Sequence, residues 1–383
     1  MQFKNNEKIF YRNLTKTETV NNGAPEKEAV EQYWGSLWSN EVQHNNQAAW
    51  IESEENSMKE VSGMTATRIT VEDLTNVINS THNWKAIGID NIHNYWYKKF
   101  TCVHAQLTQQ LINFIEQPET MPESLTQGIT YMLPKNEDTK NPTKYRPITC
   151  LPTLYKILTS CIAEKVYKYC EENGIMTEQQ KGCKKNAQGC KEQLLIDSVI
   201  LEQAYKNKRN IYVTYIDYKK AFDSVPHSWL IHVLEIYKID KTIIKFLKHT
   251  MSTWKTTANV QVDKKSITTK PIQIKRGIFQ GDSLSPLWFC LALNPLSKML
   301  NSTGYGFNVK NGSKAQYRLS HLMYVDDIKL YASDKKKLNI LTQLTETFSN
   351  DIKMEFGLDK CKTQSILQGN TPLLNLNFKM EVK

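Results

Sequence analysis

The sequence predicts an α+β fold, in which helices are combined with short antiparallel strands. Several stretches carry apolar side chains at helical spacing, whereas shorter runs are β-branched and aromatic or alternate apolar with polar residues. The segment HLMYVDDIKLYA at 321–332 places two aspartates between two apolar runs and predicts a hairpin. The chain has 383 residues, of which 40% are hydrophobic, which is enough for two or three subdomains with a sizeable core.

Amphipathic spacing predicts helices mainly in the first half of the chain. Trp34 and Trp38 share one face of the first helix, and Thr70 with Asp73 resembles a capping box at the start of the second. The polar residues 1–25 predict a loose arm. The predicted helices span residues 28–49, 71–79, 94–115, 154–169 and 188–205.

A second predicted hairpin carries two cations near its tip. The alternating segment GITYMLP at 128–134 predicts a strand that ends at Lys135, and a polar turn then leads to Arg146. A guanidinium that grips phosphate through two hydrogen bonds, beside an ammonium, would suit a nucleotide triphosphate. Taken singly, each residue is more commonly an ordinary surface cation.

Three aspartates follow or join predicted strands. Asp217 ends the run IYVTYI at 211–216, and Asp326 with Asp327 forms the turn of the hairpin at 321–332. Carboxylates on adjoining strand ends could hold two divalent ions of the hard type, such as Mg2+. Two such ions support nucleotidyl transfer. The alternative for Asp326 and Asp327 is a polar turn, since Asp is common in turns.

Two residues shortly after Asp217 have competing interpretations. Phe222 lies where the chain leaves the strand, so its ring could exclude a 2′-hydroxyl and favour deoxynucleotides, or it could be a core residue. Asp223 could be a further metal ligand. We favour a structural role for it, because Asp before Ser-Val-Pro is typical of an N-cap or a turn.

The segment KRGIFQGDSLSPLWF at 275–289 predicts a loop followed by a buried helix. Gly277 and Gly281 flank Gln280, and Pro286 lies in the first turn of an apolar helix of about 15 residues. Gln280 could approach a template–dNTP pair closely. The loop could equally cap the helix, and both roles are compatible.

Charge and cysteine usage narrow the class of protein. The net charge is +10, but residues 1–80 carry 7 Lys and Arg against 12 Asp and Glu, whereas residues 81–383 carry 42 against 27. The basic part suits a polyanion such as nucleic acid.

The eight cysteines contain no CxxC pair, so we expect reduced thiols and assign no zinc site, Cys183 and Cys190 included. The sequence has no signal-peptide pattern and no apolar run of about 20 residues. We therefore expect an intracellular protein without membrane contact, in the nucleus or the cytoplasm.

An ordered series of motifs resembles the reverse transcriptase domain of non-LTR (LINE-type) retrotransposon polyproteins over roughly residues 84–368. YVDD alone is weak evidence, whereas the whole series in order is specific. The matching segments are WKAIGID (84–90), LPK (133–135), YRPITCLPTLYKILT (145–159), EQQKGCKK (178–185), YIDYKKAFDSVPHSWL (215–230), RGIFQGDSLSPLWFCLALNPLS (276–297), YVDD (324–327) and MEFGLDKC (354–361).

The resemblance implies an RNA-directed DNA polymerase that uses two Mg2+ ions, or Mn2+, with an RNA template, a DNA primer and dNTPs. One of two lysines would protonate the pyrophosphate. The implied residues are Asp217, Asp326 and Asp327 as catalytic metal ligands, Lys135 and Arg146 at the triphosphate, Phe222 at the sugar, Gln280 and Gly281 beside the incoming nucleotide, and Lys360 or Lys362 as general acid.

The resemblance also implies a right-hand polymerase fold, with helical and hairpin fingers and an antiparallel palm sheet that bears the carboxylates. The expected division is an N-terminal extension at 1–83, fingers at 84–210, palm at 211–368 and a truncated tail at 369–383. After Leu367 the sequence lacks the strand expected of a primer grip. We therefore expect a chain without a thumb, whose thumb and endonuclease modules belong to the full-length element.

Other functions stay open at this point. Ile89 stands where the family usually has Pro, and Ala86-Ile87 replaces an Ala-Pro pair, in the fingers. A catalytically silent nucleic-acid-binding remnant is the main alternative, favoured by the expected lack of a thumb. An RNA-templated RNA polymerase is less favoured, because Phe222 would clash with a ribose and the hairpin reads YVDD. A group II intron maturase is less favoured because of the long match after Asp217.

Overall fold

A computed structural model describes residues 23–66, 68–185, 187–262, 265–311, 315–369 and 376–377. Helices and sheets are mixed along these residues, as the predicted α+β class requires. The predicted arm lies mostly outside the described residues, and so does most of the tail at 369–383. No helix among the residues described here combines the length and the apolar character needed to cross a membrane.

The helices follow the predicted amphipathic stretches, with two corrections. The stretch at 28–49 is not one helix, because α1 ends at Trp38. The stretch at 94–115 is broken at Phe100, whose ψ of 62° is not helical. The helices are α1 Lys27–Trp38, α2 Ala49–Ser57, α3 Val71–Ser80, α4 Asn94–Lys99, α5 His104–Glu116, α6 Thr153–Glu172, α7 Cys190–Lys206, α8 Ala221–Ser224, α9 His227–Ile236, α10 Lys241–Thr253, α11 Ser285–Ser302 and α12 Lys335–Asp351.

The capping box predicted from the sequence is present at the start of α3. Oγ1 of Thr70 accepts a hydrogen bond from the backbone nitrogen of Asp73 at 3.1 Å, and Oδ2 of Asp73 accepts one from the backbone nitrogen of Thr70 at 2.8 Å. These bonds satisfy donors that the first turn of a helix leaves free. Asp therefore serves here in place of the usual Glu.

The first sheet holds the predicted hairpin with Lys135 and Arg146. Its strand order is β2-β1-β4-β5, and β6 also pairs with β4. Arg146 faces Leu133 in the antiparallel β1–β2 pair, whereas β1 and β4 are parallel. The sheet therefore takes strands from both sides of the expected division at 210/211, and that division stays a prediction. Its strands are β1 Gln127–Pro134, β2 Tyr145–Cys150, β4 Lys255–Val262, β5 Lys265–Thr268 and β6 Ile272–Gln273.

The second sheet has β3 at its centre and the order β12-β11-β3-β10-β9. The antiparallel register pairs Ile216 of β3 with Ile328 of β10. A separate hairpin joins β7 and β8. The remaining strands are β3 Ile211–Ile216, β7 Phe307–Asn311, β8 Ala315–Leu319, β9 His321–Tyr324, β10 Asp327–Ala332, β11 Lys362–Ile366 and β12 Leu376–Asn377.

One large hydrophobic core joins the sheets to the helices that flank them. Helix α11 lies in its centre, because its side chains are buried on nearly every face. The N-terminal helices belong to the same core, since Trp34 and Trp38 of α1 are 0% and 4% exposed. The described part of the segment before residue 84, which carries α1 to α3, is therefore packed on the rest of the protein.

Candidate active site

The second sheet brings the three predicted aspartates to one end of its neighbouring strands β3 and β10. Asp217 follows the last residue of β3, Asp327 begins β10, and Asp326 lies in the turn before it. Because Ile216 pairs with Ile328, the next residues outward on the two strands are Asp217 and Asp327. Asp217 and Asp327 therefore lie on adjoining strand ends, with Asp326 in the turn beside them, as the sequence predicts.

A buried glutamine, Gln180, forms two hydrogen bonds with the turn that carries the two aspartates. Val325 has φ of +57°, a left-handed conformation that is unfavourable for a β-branched residue. Oε1 of Gln180 accepts from the backbone nitrogen of Val325 at 2.9 Å, and its Nε2 donates to the Val325 carbonyl at 3.1 Å. Gly182 lies so close that a Cβ there would be 2.6 Å from the Val325 nitrogen. Sequence reasoning assigned no role to Gln180, although it lies within the motif EQQKGCKK.

Burial and neighbouring like charges raise the pKa values of the two aspartates in the hairpin, Asp326 and Asp327. Burial, followed by repulsion from Asp327, raises the pKa of Asp326 to about 6. Burial and the charge of Asp217 raise the pKa of Asp327. The fold therefore gathers negative charge at these aspartates, and the charge of Lys360 partly offsets it.

Lys360 is the lysine that the structure places against the carboxylates. Its Nζ lies 2.8 Å from Oδ2 of Asp217, and this hydrogen bond raises the pKa of Lys360. Gly357 makes room, because a Cβ there would lie 2.9 Å from the same oxygen. Lys362 instead begins β11, where it pairs with Tyr215. Of the two lysines between which the sequence could not choose, Lys360 is the one that contacts a predicted catalytic carboxylate.

The donor set fits a hard divalent cation. It consists of carboxylate oxygens, which Mg2+ prefers, and its repulsion would be relieved by added positive charge. Within the described part of the chain, no three His, Cys, Asp or Glu side chains already converge on a common metal position. The ammonium of Lys360 sits on Asp217 as a cation would, so a metal ion would have to displace it from that oxygen.

Lys135, at the end of the first hairpin strand, interacts electrostatically with two aspartates, Asp217 and Asp223. Burial and then the charges of Lys360 and Arg146 lower the pKa of Lys135, while Asp223 and Asp217 act in the opposite direction. Lys135 is tied to the hairpin by its backbone nitrogen, which donates to the Lys144 carbonyl at 2.8 Å. Lys135 and Arg146 are both exposed and so accessible to a ligand.

Sequence reasoning missed a further lysine at this place. Lys220 has φ of +52°, its Nζ donates to the Tyr145 carbonyl at 2.7 Å, and it lies 4.5 Å from the centre of the Trp34 ring. Burial and the charge of Lys135 lower the pKa of Lys220 to about 8. No sequence pattern marks it, because its partners are distant in the chain.

Phe222 contacts the core and keeps part of its surface accessible. Its ring stacks on Phe289 of α11, with 4.7 Å between ring centroids and an interplanar angle of 12°. The side chain is half-buried, so the core role and the sugar-contact role remain compatible.

Asp223 has a structural position, but it is not an N-cap. It lies inside α8 and is 3% exposed, and its carboxylate accepts hydrogen bonds from Trp38 and Gln280. Burial raises the pKa of Asp223 to about 6. The sequence interpretation of Asp223 as a structural residue therefore stands, but the N-cap role was wrong. The side chain is a buried acceptor for donors that are distant in the sequence.

The loop with Gln280 and Gly281 is pressed against the first sheet. The Gln280 carbonyl accepts from the Thr149 nitrogen at 2.8 Å. Gly281 has φ of +136°, and a Cβ there would lie 2.3 Å from the Thr149 carbonyl oxygen, so only glycine fits. Helix α11 begins four residues later, as predicted.

A comparison with models of known protein families shows to which family this chain belongs. Residues 133–377 match the family model described as reverse transcriptase (RNA-dependent DNA polymerase), which is well over half of the chain. The chain belongs to the reverse transcriptase family. Every predicted site residue lies within the matched range, whereas helices α1 to α5 lie before it.

Relatives of this reverse transcriptase are retrotransposon proteins, which confirms the non-LTR prediction. The chain is 25% identical over 258 residues to the Pol polyprotein of the type-2 retrotransposable element R2DM of Drosophila melanogaster, covering 67% of this chain and 23% of the relative. It is 31% identical over 212 residues to a Pol polyprotein of the type-1 retrotransposable element R2 of Popillia japonica, covering 55% and 28%. A Xenopus laevis transposon TX1 protein is 22% identical over 304 residues, covering 79% and 22%. The chain thus spans about a quarter of the length of these relatives.

Proposed function

We propose that the protein is an RNA-directed DNA polymerase, which adds dNTPs to the 3′-hydroxyl of a primer under the direction of an RNA template. The observation that carries this proposal is the meeting of Asp217, Asp326 and Asp327 on adjoining strand ends in a reverse transcriptase chain. Carboxylates in this arrangement are what nucleotidyl transfer requires.

The three aspartates would hold two Mg2+ ions, with Mn2+ as a substitute. When bound, the ions would activate the 3′-hydroxyl, polarise the phosphoryl group and stabilise the leaving pyrophosphate. The chain contributes Asp326, whose pKa is raised to about 6 by burial and then by the charge of Asp327, so that a bound cation would relieve the repulsion. It also contributes the rigid turn at Val325, which fixes the direction of two of the carboxylates.

The cations around the cleft would bind the triphosphate. Lys135 and Arg146 project from the hairpin, and Lys220 adds a third positive charge beneath it. Guanidinium and ammonium groups are suited to phosphate oxygens. Lys360 would donate a proton to the leaving pyrophosphate, since its pKa is raised by Asp217 and it is charged at neutral pH.

Phe222 and the Gln280–Gly281 loop would select the nucleotide. The half-buried ring of Phe222 is fixed by Phe289, so a 2′-hydroxyl above it would meet an immobile surface. Gln280 would lie beside the base pair, and the absence of a side chain at Gly281 lets the loop approach the sheet. We keep these assignments as proposals for individual residues.

The partners would be an RNA template and a DNA primer, which the basic charge of residues 81–383 favours. Because the chain spans about a quarter of its relatives, we propose that a thumb and an endonuclease module act with it in the full-length element. The expected intracellular location and the fingers and palm boundaries stay predictions.

Nucleotide incorporation tests the proposal. The purified chain is assayed with dTTP and Mg2+ on poly(rA)/oligo(dT), beside the double variant Asp326→Ala, Asp327→Ala. We expect incorporation by the wild-type protein and a loss of at least about a thousandfold in the variant, because metal-dependent transition-state stabilisation is removed. Template binding without incorporation in either protein would instead support a silent nucleic-acid-binding remnant.

A further inference from the structure

Helix α1 places two tryptophans, one turn apart, against the proposed nucleotide site. The rings of Trp34 and Trp38 are 4.7 Å apart between centroids, and both side chains are buried. Both precede residues 133–377, so the family match gives neither of them a role. Each one contacts a different part of the site.

Trp38 and Gln280 share one buried carboxylate. The indole Nε1 of Trp38 donates to Oδ1 of Asp223 at 3.1 Å, and Nε2 of Gln280 donates to Oδ2 at 3.2 Å. Asp223 is 3% exposed, so water cannot replace a lost donor easily. Trp38 therefore fixes the acceptor that orients the Gln280 amide.

Backbone contacts tie the end of α1 to the same loop. The backbone nitrogen of Lys275 donates to the Trp38 carbonyl at 2.7 Å, and Oγ of Ser39 donates to the Gln273 carbonyl at 3.0 Å. Gly277 lies against Asp223, since a Cβ there would be 2.7 Å from the Asp223 carbonyl oxygen. The helix end, the aspartate and the loop are thus joined by hydrogen bonds and close packing.

Trp34 connects the same helix to the hairpin that carries the cations. Its Nε1 donates to the Pro142 carbonyl at 3.2 Å, and its ring lies under the ammonium of Lys220. Lys220 in turn donates to the carbonyl of Tyr145 in β2. Helix α1 therefore contacts both walls of the proposed nucleotide site.

We propose that Trp38 is a positioning residue for the incoming nucleotide, which acts through Asp223 to fix the side-chain amide of Gln280. This inference rests on the proposed polymerase function. The competing role is packing of α1 on the core. Packing alone would make Trp38 important for stability but not for the KM of the nucleotide.

The variant Trp38→Phe keeps an aromatic ring and removes the indole N–H. Trp229→Phe is the matched control, because Trp229 is also buried and its Nε1 donates at 3.0 Å to the Ala292 carbonyl, in the core between α9 and α11. We expect Trp38→Phe to raise the KM for dTTP on poly(rA)/oligo(dT) by roughly three- to tenfold, with a smaller change in kcat. We expect Trp229→Phe to keep the wild-type KM for dTTP, even if its melting temperature falls. Equal KM values in the two variants would overturn the proposal.

The variant Asp223→Asn tests the same contact without altering α1. Asparagine keeps the shape and can accept from Trp38, but its amide then presents a donor to the Gln280 Nε2, which is itself a donor. The Gln280 amide has to turn over, so we expect a rise in the KM for dTTP similar to that of Trp38→Phe. A wild-type KM in Asp223→Asn would contradict the inference.

A measurement without catalysis separates this inference from the polymerase function. In protein labelled with 15N-glutamine, the side-chain amide signal of Gln280 is identified by its loss in Gln280→Glu. We expect this signal to exchange slowly with solvent in the wild type and in Trp229→Phe, and faster in Trp38→Phe. If the wild type makes no DNA, the polymerase proposal fails, and an unchanged Gln280 signal in Trp38→Phe would still refute the positioning role.

Discussion

Val325 adopts a left-handed conformation immediately before the two catalytic candidates of the hairpin. The sequence predicted Asp326 and Asp327 at a tight turn, because two apolar runs flank them. It did not predict what holds the turn, because Gln180 lies 145 residues away and its two hydrogen bonds to Val325 exist only in the folded chain. Short-range patterns thus located the carboxylates, whereas their support required the tertiary structure.

Removal of the Gln180 amide should loosen this turn. In Gln180→Ala the backbone of Val325 loses two partners in a buried place, which we expect to lower the free energy of unfolding by about 1–3 kcal/mol. We also expect kcat to fall about tenfold, measured on the same primer–template. The exposed Gln43→Ala is the control, and a Gln180→Ala enzyme with wild-type kcat would show that the turn keeps its shape unaided.

The burial of His321 predicts how the stability of the protein depends on pH. It is fully buried between Ser297 and Ser320, whose hydroxyls lie 2.6 and 2.8 Å from its ring nitrogens, and burial lowers its pKa to about 3. The unfolded chain binds a proton at this residue below about pH 6.5 and the folded one does not, so this contribution is present above that pH and is lost as the pH falls towards 3.

Urea unfolding at pH 7 and pH 5 measures this contribution. Between these values the wild type should lose about 2 kcal/mol more stability than His321→Gln, whose amide does not titrate. Groups that titrate elsewhere are common to both proteins and cancel in the comparison. Equal losses would mean that His321 is protonated inside the fold.

At the scale of elements, the strands with clear alternation were predictable and the polar ones were not. β1, β3 and the β9–β10 hairpin carry large apolar residues at strand spacing. In β4 the buried positions include Thr256 and Ala258, which look no different from surface residues in the sequence. The strand is recognised only by its pairing with β1, through the buried hydroxyls of Thr130 and Thr256, 2.7 Å apart.

Two glycines test how closely elements approach. Gly281→Ala would place a Cβ 2.3 Å from the Thr149 carbonyl at a φ of +136°, and we expect a loss of more than about 2 kcal/mol of stability, with weaker dTTP binding. Gly35→Ala, inside α1 with no atom within 4 Å of the new Cβ, should raise stability by about 0.5–1 kcal/mol. Chemical denaturation compares the two. A tolerated Gly281→Ala would mean that the loop can move off the sheet.

At the scale of the whole molecule, the ordered motifs predicted the family, and the family match confirmed it. The motifs did not reveal how the N-terminal segment is used. Trp38 and Asp223 are 185 residues apart, and no local pattern joins a helix outside the motif series to a loop inside it. Only the three-dimensional structure shows that α1 contacts the residues of the proposed nucleotide site.

We propose that the fold holds Asp326 beside Asp327 at a cost in stability because these carboxylates bind metal ions. Above about pH 6 the ionised Asp326 is disfavoured by burial and by Asp327, so a neutral residue of the same shape should stabilise the fold. The most direct measurement is Asp326→Asn beside the exposed control Glu172→Gln, each assayed at pH 7.5 without metal for stability and with Mg2+ for extension of a DNA primer on an RNA template. We predict that Asp326→Asn gains about 1–2 kcal/mol of stability and loses at least about a thousandfold in extension, while the control changes neither. An Asp326→Asn protein that extends the primer as well as the wild type, or that is less stable, would contradict the account.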